Sequence, residues 1–369
     1  MFLQIACLGI FGIFQLISAG TSLVAVVSTD VVLPCTFPPA TLLEIVLHWM
    51  YSVGQSTQVV HSFYRGADQL GKQDPHYEGR TGLFHREIAR GNASLRLMAV
   101  NIHDERLYQC YVSTLRGNVE TNVNLQVAGD SKNLTLLPPN TLSVEVNISC
   151  GVTGAYPQPL ITWRDENGID LTNNATSSNT NDSQGLYNVE SILKTDYTSR
   201  TMYECTIRNE RLQKSWTASW KMQGTLKENK IHPAAIHCQY PPNNDQDLTI
   251  IWRFRNSETS SLAVMCESTP QKAGESSGCK KERMEVINTK NSSTLQLGRA
   301  MKEDAGEYIC EIRTRDVLQI FTYVLQIDPA AFEESHKRTH YGFVAVLAMV
   351  ALLIICILII ICCKNSQRS

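Results

Sequence analysis

A motif of cysteine, tryptophan and tyrosine recurs three times along this chain of 369 residues. Each copy begins with a cysteine, has a tryptophan thirteen or fourteen residues later, and ends in Tyr-x-Cys. The copies are Cys35, Trp49, Tyr108 and Cys110; Cys150, Trp163, Tyr203 and Cys205; and Cys238, Trp252, Tyr308 and Cys310. A repeat with a period of roughly one hundred residues indicates several copies of one structural unit.

The residues around the first copy alternate with the period of a β-strand. Leu47, Trp49 and Tyr51 fall on one face, and His48 and Met50 fall on the other, because successive side chains of a strand point to opposite faces. A disulfide between two sheets, packed on a tryptophan of a further strand, is the core of an immunoglobulin sandwich. The repeat therefore predicts an all-β chain of three tandem immunoglobulin-like sandwiches.

The cysteine spacing distinguishes the three predicted sandwiches. The first and third pairs are 75 and 72 residues apart, and the second pair is 55 residues apart. The longer spacing leaves room for the two extra strands of a variable-type domain, and the shorter one fits a constant-type domain. We therefore predict variable, constant and variable-like domains in that order, at residues 21–128, 129–224 and 225–328.

Each tyrosine of the repeat lies two residues before a cysteine, so both side chains point to the same face of a strand. We expect the tyrosine hydroxyl to hydrogen-bond backbone upstream, which is the arrangement called a tyrosine corner. An aspartate, Asp104 or Asp304, precedes the first and third of these tyrosines by four residues. A further hypothesis pairs these carboxylates with Arg80 and Arg283.

Two further cysteines, Cys266 and Cys279, fall inside the third predicted sandwich. With the six cysteines of the repeat they give an even number, which is typical of an extracellular disulfide framework. A bridge between Cys266 and Cys279 is the favoured interpretation, and free or intermolecular thiols are the alternative.

Apolar segments lie near both ends of the chain. Residues 1–20 are apolar and end in small residues, which is typical of a cleaved signal peptide; a first transmembrane helix is the alternative. Residues 342–363 carry no charge, and as a helix they would span about 33 Å, the thickness of a bilayer core. We predict a single-pass type I plasma-membrane protein with a stalk at 329–341, a transmembrane helix at 342–363 and a cytoplasmic tail at 364–369.

Two kinds of modification fit this topology. Cys362 and Cys363 adjoin the cytoplasmic end of the predicted helix and are candidates for S-palmitoylation, although small apolar residues at a helix end explain them equally well. Six Asn-x-Ser/Thr sequons precede the helix and favour an extracellular position for that part of the chain. They begin at Asn92, Asn133, Asn147, Asn174, Asn181 and Asn291.

Composition and motifs argue against several functional classes. A net charge of −2 offers no basic face for nucleic acid. The sequence has no histidine pair at a helical metal-ligand spacing beside a glutamate, no glycine-rich phosphate loop and no Gly-x-Ser-x-Gly elbow. We therefore expect a protein that is not an enzyme and that needs no metal or cofactor.

Particular stretches resemble a known family more specifically than the cysteine pattern does. HSFYRGADQL (61–70) and QDPHY (73–77) in the first domain, and YPQPLITW (156–163) in the second, are similar to the butyrophilin and costimulatory-ligand branch of the immunoglobulin superfamily. The resemblance implies a cell-surface ligand that regulates T-cell and natural killer (NK) cell activation. The implied partners are immunoglobulin-fold receptors of the transmembrane and immunoglobulin domain-containing type or of the killer-cell immunoglobulin-like type. The short tail without tyrosine favours a ligand over a receptor, and homophilic adhesion is the alternative function.

The resemblance implies that the site is the sheet face built by the G, F, C and C′ strands of the first domain. Side chains alternate along a strand, so the neighbours of the inward-pointing Trp49 and Cys110 point outward onto this face. On the next strand, Phe63 and Tyr64 point to opposite sides, so only one of them can point outward. Exposed aromatic residues and methionine are typical of interface cores, whereas ordinary surface or intrachain packing is the alternative. The candidate contact residues are His48, Met50, Phe63, Tyr64, Gln109, Tyr111 and Ser113.

Overall fold

The computed structural model describes residues 20–327, except 132, 140–145, 196–200, 229–232, 241–247, 258, 260, 270–282, 290 and 300, together with 348–351 and 354. Most of these residues are in β-strands. The α-helical residues are α1 (His85–Ile88), 348–351 and 354. Three hydrophobic cores form along the chain, and each encloses one disulfide of the repeat.

The first core lies between a six-stranded sheet of order β1-β9-β8-β3-β4-β5 and a three-stranded sheet of order β2-β7-β6. Its strands are β1 (Thr21–Val26), β2 (Val31–Leu33), β3 (Val46–Val53), β4 (Ser56–Tyr64), β5 (Ala67–Asp68), β6 (Thr81–Leu83), β7 (Leu95–Leu97), β8 (Arg106–Thr114) and β9 (Gly117–Ala128). The Cys35–Cys110 disulfide crosses this core beside the buried Trp49. The two extra strands that the cysteine spacing predicts are β4 and β5.

The second core encloses the Cys150–Cys205 disulfide and Trp163. One of its sheets has the order β10-β11-β14-β13, and the other includes β12, β15 and β16. The strands are β10 (Asn133–Leu137), β11 (Val146–Ala155), β12 (Leu160–Asp165), β13 (Ala175–Asn181), β14 (Tyr187–Thr195), β15 (Met202–Asn209) and β16 (Lys214–Glu228).

The third core encloses the Cys238–Cys310 disulfide and Trp252. Its strands are β17 (Pro233–Gln239), β18 (Thr249–Asn256), β19 (Leu262–Ser268), β20 (Met284–Asn288), β21 (Ser292–Arg299), β22 (Gly306–Arg313) and β23 (Val317–Ile327). Cys266 is also disulfide-bonded. Cys279, its predicted partner, lies outside the described residues.

The second and third cores share one sheet, a feature that the repeat does not anticipate. This seven-stranded sheet has the order β12-β15-β16-β23-β22-β18-β19. The neighbouring strands β16 and β23, which join the two cores, are parallel and pair from Thr217 opposite Val317 to Glu228 opposite Ile327. The predicted boundary between residues 224 and 225 lies inside β16.

The tyrosine corner prediction is confirmed in the first and third cores. The hydroxyl of Tyr108 donates to the carbonyl oxygen four residues upstream at 2.9 Å, and that of Tyr308 does so at 2.8 Å. In the second core, Tyr203 instead accepts a hydrogen bond from Thr195 at 2.7 Å. Its motif lacks the aspartate that shapes the turn in the other two copies.

Both predicted arginine–aspartate pairs are confirmed, but their surroundings differ. Arg80 Nη2 lies 2.5 Å from Oδ2 of Asp104, and the aspartate side chain is completely buried. Arg283 Nη1 lies 3.2 Å from Oδ2 of Asp304, and the arginine side chain is 42% exposed. The guanidinium of Arg80 therefore compensates the buried carboxylate of Asp104 for its lost hydration. The Arg283–Asp304 pair lies close to solvent, where an ion pair contributes less to stability.

Among the residues that the structure describes, no helix is long and apolar enough to cross a membrane. The predicted signal peptide (apart from Gly20), stalk and cytoplasmic tail lie outside the described residues, as does most of the predicted segment 342–363, including Cys362 and Cys363.

Replacing Arg80 with methionine should destabilise the first core by about 3 kcal/mol, because Asp104 would keep a buried charge without its main partner. Burial alone would raise the pKa of Asp104, but hydrogen bonds from Arg80, the Asn101 amide and His76 lower it below 3.8. The stability contribution is thus present above pH 3.8 and is lost as the pH falls through the lower folded pKa. Thermal unfolding of a protein that comprises residues 21–328 measures the loss.

The matched control for this prediction is Arg283→Met, which removes the equivalent pair of the third core, whose arginine side chain is 42% exposed. Its cost should stay below about 1 kcal/mol. Equal losses in the two variants would contradict the role assigned to burial.

Candidate functional site

The front face is the solvent side of the six-stranded sheet of the first core. Register along β3, β4, β8 and β9 places its side chains in cross-strand rows, such as His48 with Tyr111 and Met50 with Gln109. We define the front face by Val46, His48, Met50, Val59, Ser62, Tyr64, Leu107, Gln109, Tyr111, Ser113, Asn118, Glu120 and Asn122.

Packing of the first core determines which side chains reach this face. Leu47 and Trp49 of β3 and Cys110 of β8 point inward and have no exposed surface. Their neighbours along the strands therefore point outward. Six of the seven candidate residues lie on the front face: His48, Met50, Tyr64, Gln109, Tyr111 and Ser113.

Phe63 is the exception and has to be removed from the candidate set. It stands opposite the inward-pointing Leu47 and is only 1% exposed, and its ring centroid lies 6.0 Å from that of His85. Tyr64 follows it and points outward, with its ring centroid 6.1 Å from that of His48. A β-bulge between Trp49 and Met50 shifts the pairing of β3 with β4.

Charge is scarce on the front face. Of the residues that define it, Glu120 alone carries a charge at neutral pH, and Gln109 Nε2 donates to its carboxylate at 3.3 Å. His48, Met50 and Tyr111 lie on β3 and β8, the two middle strands of the sheet. Apolar and aromatic side chains in the middle, with amide groups toward the edge, are typical of a protein-binding surface.

His48 is held in place and is neutral at physiological pH. Its Nδ1 lies 2.8 Å from the hydroxyl oxygen of Ser62. Burial lowers the pKa of His48 below 6.5, because the charged imidazolium loses hydration. The central row of the face therefore presents a hydrogen-bonding ring without a positive charge.

The structure adds seven residues to the face that the sequence did not identify: Val46, Val59, Ser62, Leu107, Asn118, Glu120 and Asn122. Three of them show which sequence signals were available. Val46 and Leu107 are 37% and 55% exposed, and Glu120 lies on the neighbouring β9. Val46 and Leu107 have the same parity along their strands as His48 and Gln109, so the alternation that found the latter pair also indicated the former. Glu120 had no such signal, because β9 contains no cysteine or tryptophan that would fix which of its residues point inward.

The equivalent face of the third core is not available. Glu307, Ile309 and Glu311 flank the Tyr-x-Cys motif of β22 at the places that Leu107, Gln109 and Tyr111 occupy in β8. Their exposed fractions are 0%, 1% and 4%. The solvent-facing surface that the first core presents is therefore buried at the equivalent place in the third core.

A metal centre finds no support in the described part of the chain. Within it, no group of three or more histidine, cysteine, aspartate or glutamate side chains is arranged to hold a metal ion.

Two protein-family descriptions match the chain. The immunoglobulin V-set domain matches residues 19–128. The Ig-C domain described as butyrophilin subfamily 3 member A2-like matches residues 140–216. The matched ranges contain the disulfides of the first and second cores.

Three relatives indicate how far the similarity extends. Human HERV-H LTR-associating protein 2 is 31% identical over 349 residues, which cover 88% of this chain and 77% of the relative. The CD276 antigen homolog of Xenopus laevis is 29% identical over 226 residues, or 59% of this chain and 68% of the relative. Human V-set domain-containing T-cell activation inhibitor 1 is 30% identical over 190 residues, or 50% and 65%.

A nuclear magnetic resonance titration of the His48 ring should give a pKa below 6.5. As the pH falls below 6.5, the unfolded chain takes up a proton before the folded chain does, so the unfolding free energy decreases. At pH values well above 6.5 the contribution of His48 to the unfolding free energy does not change with pH. The His48→Gln variant keeps a polar side chain beside Ser62 and should lose this part of the pH dependence. A His48 pKa at or above 6.5 would contradict the burial that we describe.

Proposed function

The chain belongs to the butyrophilin and costimulatory-ligand family that includes HERV-H LTR-associating protein 2, and on this premise we propose that it is a cell-surface ligand regulating T-cell and NK-cell activation. The front face of the first core binds an immunoglobulin-fold receptor. The observation that carries the proposal is the solvent-facing, nearly uncharged surface around Met50 and Tyr111, whose counterpart in the third core is buried.

The similarity to a protein named as a T-cell activation inhibitor supports regulation of T cells as the role. The receptor is of the transmembrane and immunoglobulin domain-containing type or of the killer-cell immunoglobulin-like type. Binding at such a flat face is weak for a single pair. Many copies on two apposed membranes strengthen it, because each first contact raises the effective concentration for the next.

The proposal includes the topology that the sequence predicts. Residues 1–20 direct secretion and are removed, the third core forms a third, variable-like sandwich, and residues 342–363 anchor the chain in the plasma membrane. This topology puts all three cores on the outer side of the membrane.

Glycans at the predicted sequons would leave the front face free. Four of these asparagines belong to or adjoin the strands β10, β11 and β13 of the second core, and their side chains are exposed. Asn92 follows α1 in the first core, and Asn291 precedes β21 in the third. The four in the second core are Asn133, Asn147, Asn174 and Asn181.

The receptor-binding prediction can be tested by cell staining. A fluorescent multimer of residues 21–340 should stain activated T or NK cells, and the double substitution Met50→Ala and Tyr111→Ala should reduce staining by about tenfold or more. The matched control is Val32→Ala with Arg96→Ala, two paired residues on the solvent side of the opposite sheet. The control should stain like the unchanged protein.

Two outcomes of this staining would contradict parts of the proposal. Staining that survives the Met50 and Tyr111 substitutions would move the site away from the front face. Staining confined to cells that express this same chain would replace the ligand function with homophilic adhesion.

Expression in mammalian cells tests the topology separately. The mature protein should begin at or near Thr21, and an antibody to the first core should label intact cells. Deleting 342–363 should release the protein into the medium, because the segment that holds it in the bilayer is lost. Retention of residues 1–20, or cell association after the deletion, would contradict the assignment.

A further inference from the structure

The third core has a sheet face equivalent to the front face of the first core, which we call the front face of the third core. The second core covers it. Arg255 Nη1 donates to the carbonyl oxygen of Pro139 at 3.0 Å and lies 2.7 Å from Oε2 of Glu307. Arg313 Nη1 donates to the carbonyl oxygen of Leu134 at 2.9 Å. Two guanidinium groups of the third core thus satisfy backbone acceptors of the segment around β10, which belongs to the second core.

Apolar contacts complete this cover. Ile309, Leu318 and Ile320 come from β22 and β23, yet they pack within the hydrophobic core that encloses Cys150 and Cys205. Trp220 Nε1 of β16 donates to Oγ1 of Thr322 at 2.9 Å, and both residues are buried. The outward side of the third core is therefore part of the interior of the second.

Strand direction places the two cores beside one another. β16 and β23 run parallel along their shared length, so their starts lie at one end of the sheet and their finishes at the other. At the starting end, Lys214 Nζ lies 2.9 Å from Asp130 and 3.0 Å from Asp316. Asp130 lies two residues after the end of β9, the last strand of the first core. The turn before β23 therefore reaches the junction of the first and second cores.

We infer that the extracellular part stands two sandwiches tall instead of three, and that the front face of the third core is an internal docking surface for the second core. What this arrangement means for receptor binding rests on the proposed function. A receptor would meet one front face for each chain, held at the height of a two-sandwich ligand. A ligand of this height places the two membranes closer together than a ligand of three stacked sandwiches would.

A designed disulfide tests the side-by-side arrangement in the full-length protein. Ser219 and Gln319 are register partners in β16 and β23. Neighbouring strands bring α-carbons about 5 Å apart, within disulfide range. The double variant Ser219→Cys and Gln319→Cys should form an additional disulfide in nearly every molecule, measured as two thiols that no longer react with an alkylating agent.

The matched control is Ser219→Cys with Gln326→Cys. Gln326 stands opposite Lys227, eight residues along β16 from Ser219, which is roughly 26 Å away. This pair should keep both thiols free. Free thiols in the Ser219 and Gln319 variant, or bridging of both pairs to the same extent, would overturn the arrangement.

Two further measurements keep the inference separate from the receptor proposal. Small-angle scattering of the unchanged extracellular part needs no substitution and should give a maximum dimension near 80 Å, since a sandwich with twelve-residue strands is about 40 Å tall. A value near 120 Å would overturn the two-sandwich height. The disulfide-locked multimer should stain lymphocytes as strongly as the unchanged one, and loss of staining in a locked protein would show that the third face must open to bind.

Discussion

A tryptophan packed against an inter-sheet disulfide is the interaction on which each core depends. The indole nitrogen also needs an acceptor, because an unpaired buried donor costs roughly 1–3 kcal/mol. Trp49 donates to the carbonyl oxygen of Ala93 at 2.8 Å, whereas Trp163 and Trp252 donate to the hydroxyl groups of Ser191 and Ser293 at 3.0 and 2.9 Å. Once these side chains point inward, strand geometry fixes which neighbours point outward. The front face of the first core is therefore a consequence of how its interior packs.

Strand alternation also defines an outward face on the third core, but this face is buried. Glu307, Ile309 and Glu311 also point away from their disulfide, but the second core lies over them. Their chemistry fits this position, because Ile309 joins an apolar interior and the two carboxylates face arginine partners. Two repeats of one motif can thus diverge through a few outward-facing residues, so that one presents a surface and the other completes the fold.

The sequence predicts features that follow from local periodicity and from the repeat. The inward orientation of Trp49, the tyrosine corners and the arginine–aspartate pairs are of this kind. Alternation could not decide between Phe63 and Tyr64, because it gives opposite faces without saying which one is outer. That choice depends on how β4 pairs with β3 around a bulge. The parallel pairing of β16 with β23 joins segments a hundred residues apart and leaves no local signal.

Contacts between the first and second cores bear on how the front face is presented. Arg211 Nη1 of the second core lies 2.5 Å from Glu105 Oε2 and donates to the carbonyl oxygen of Val127 at 2.6 Å. At Gly129 the two backbones approach so closely that a β-carbon would lie 2.4 Å from the carbonyl oxygen of Gly154. A junction so closely packed restricts bending between the cores. A surface that is already held in one orientation loses less conformational freedom when it binds a partner. More of the contact energy of the front face can therefore appear as affinity.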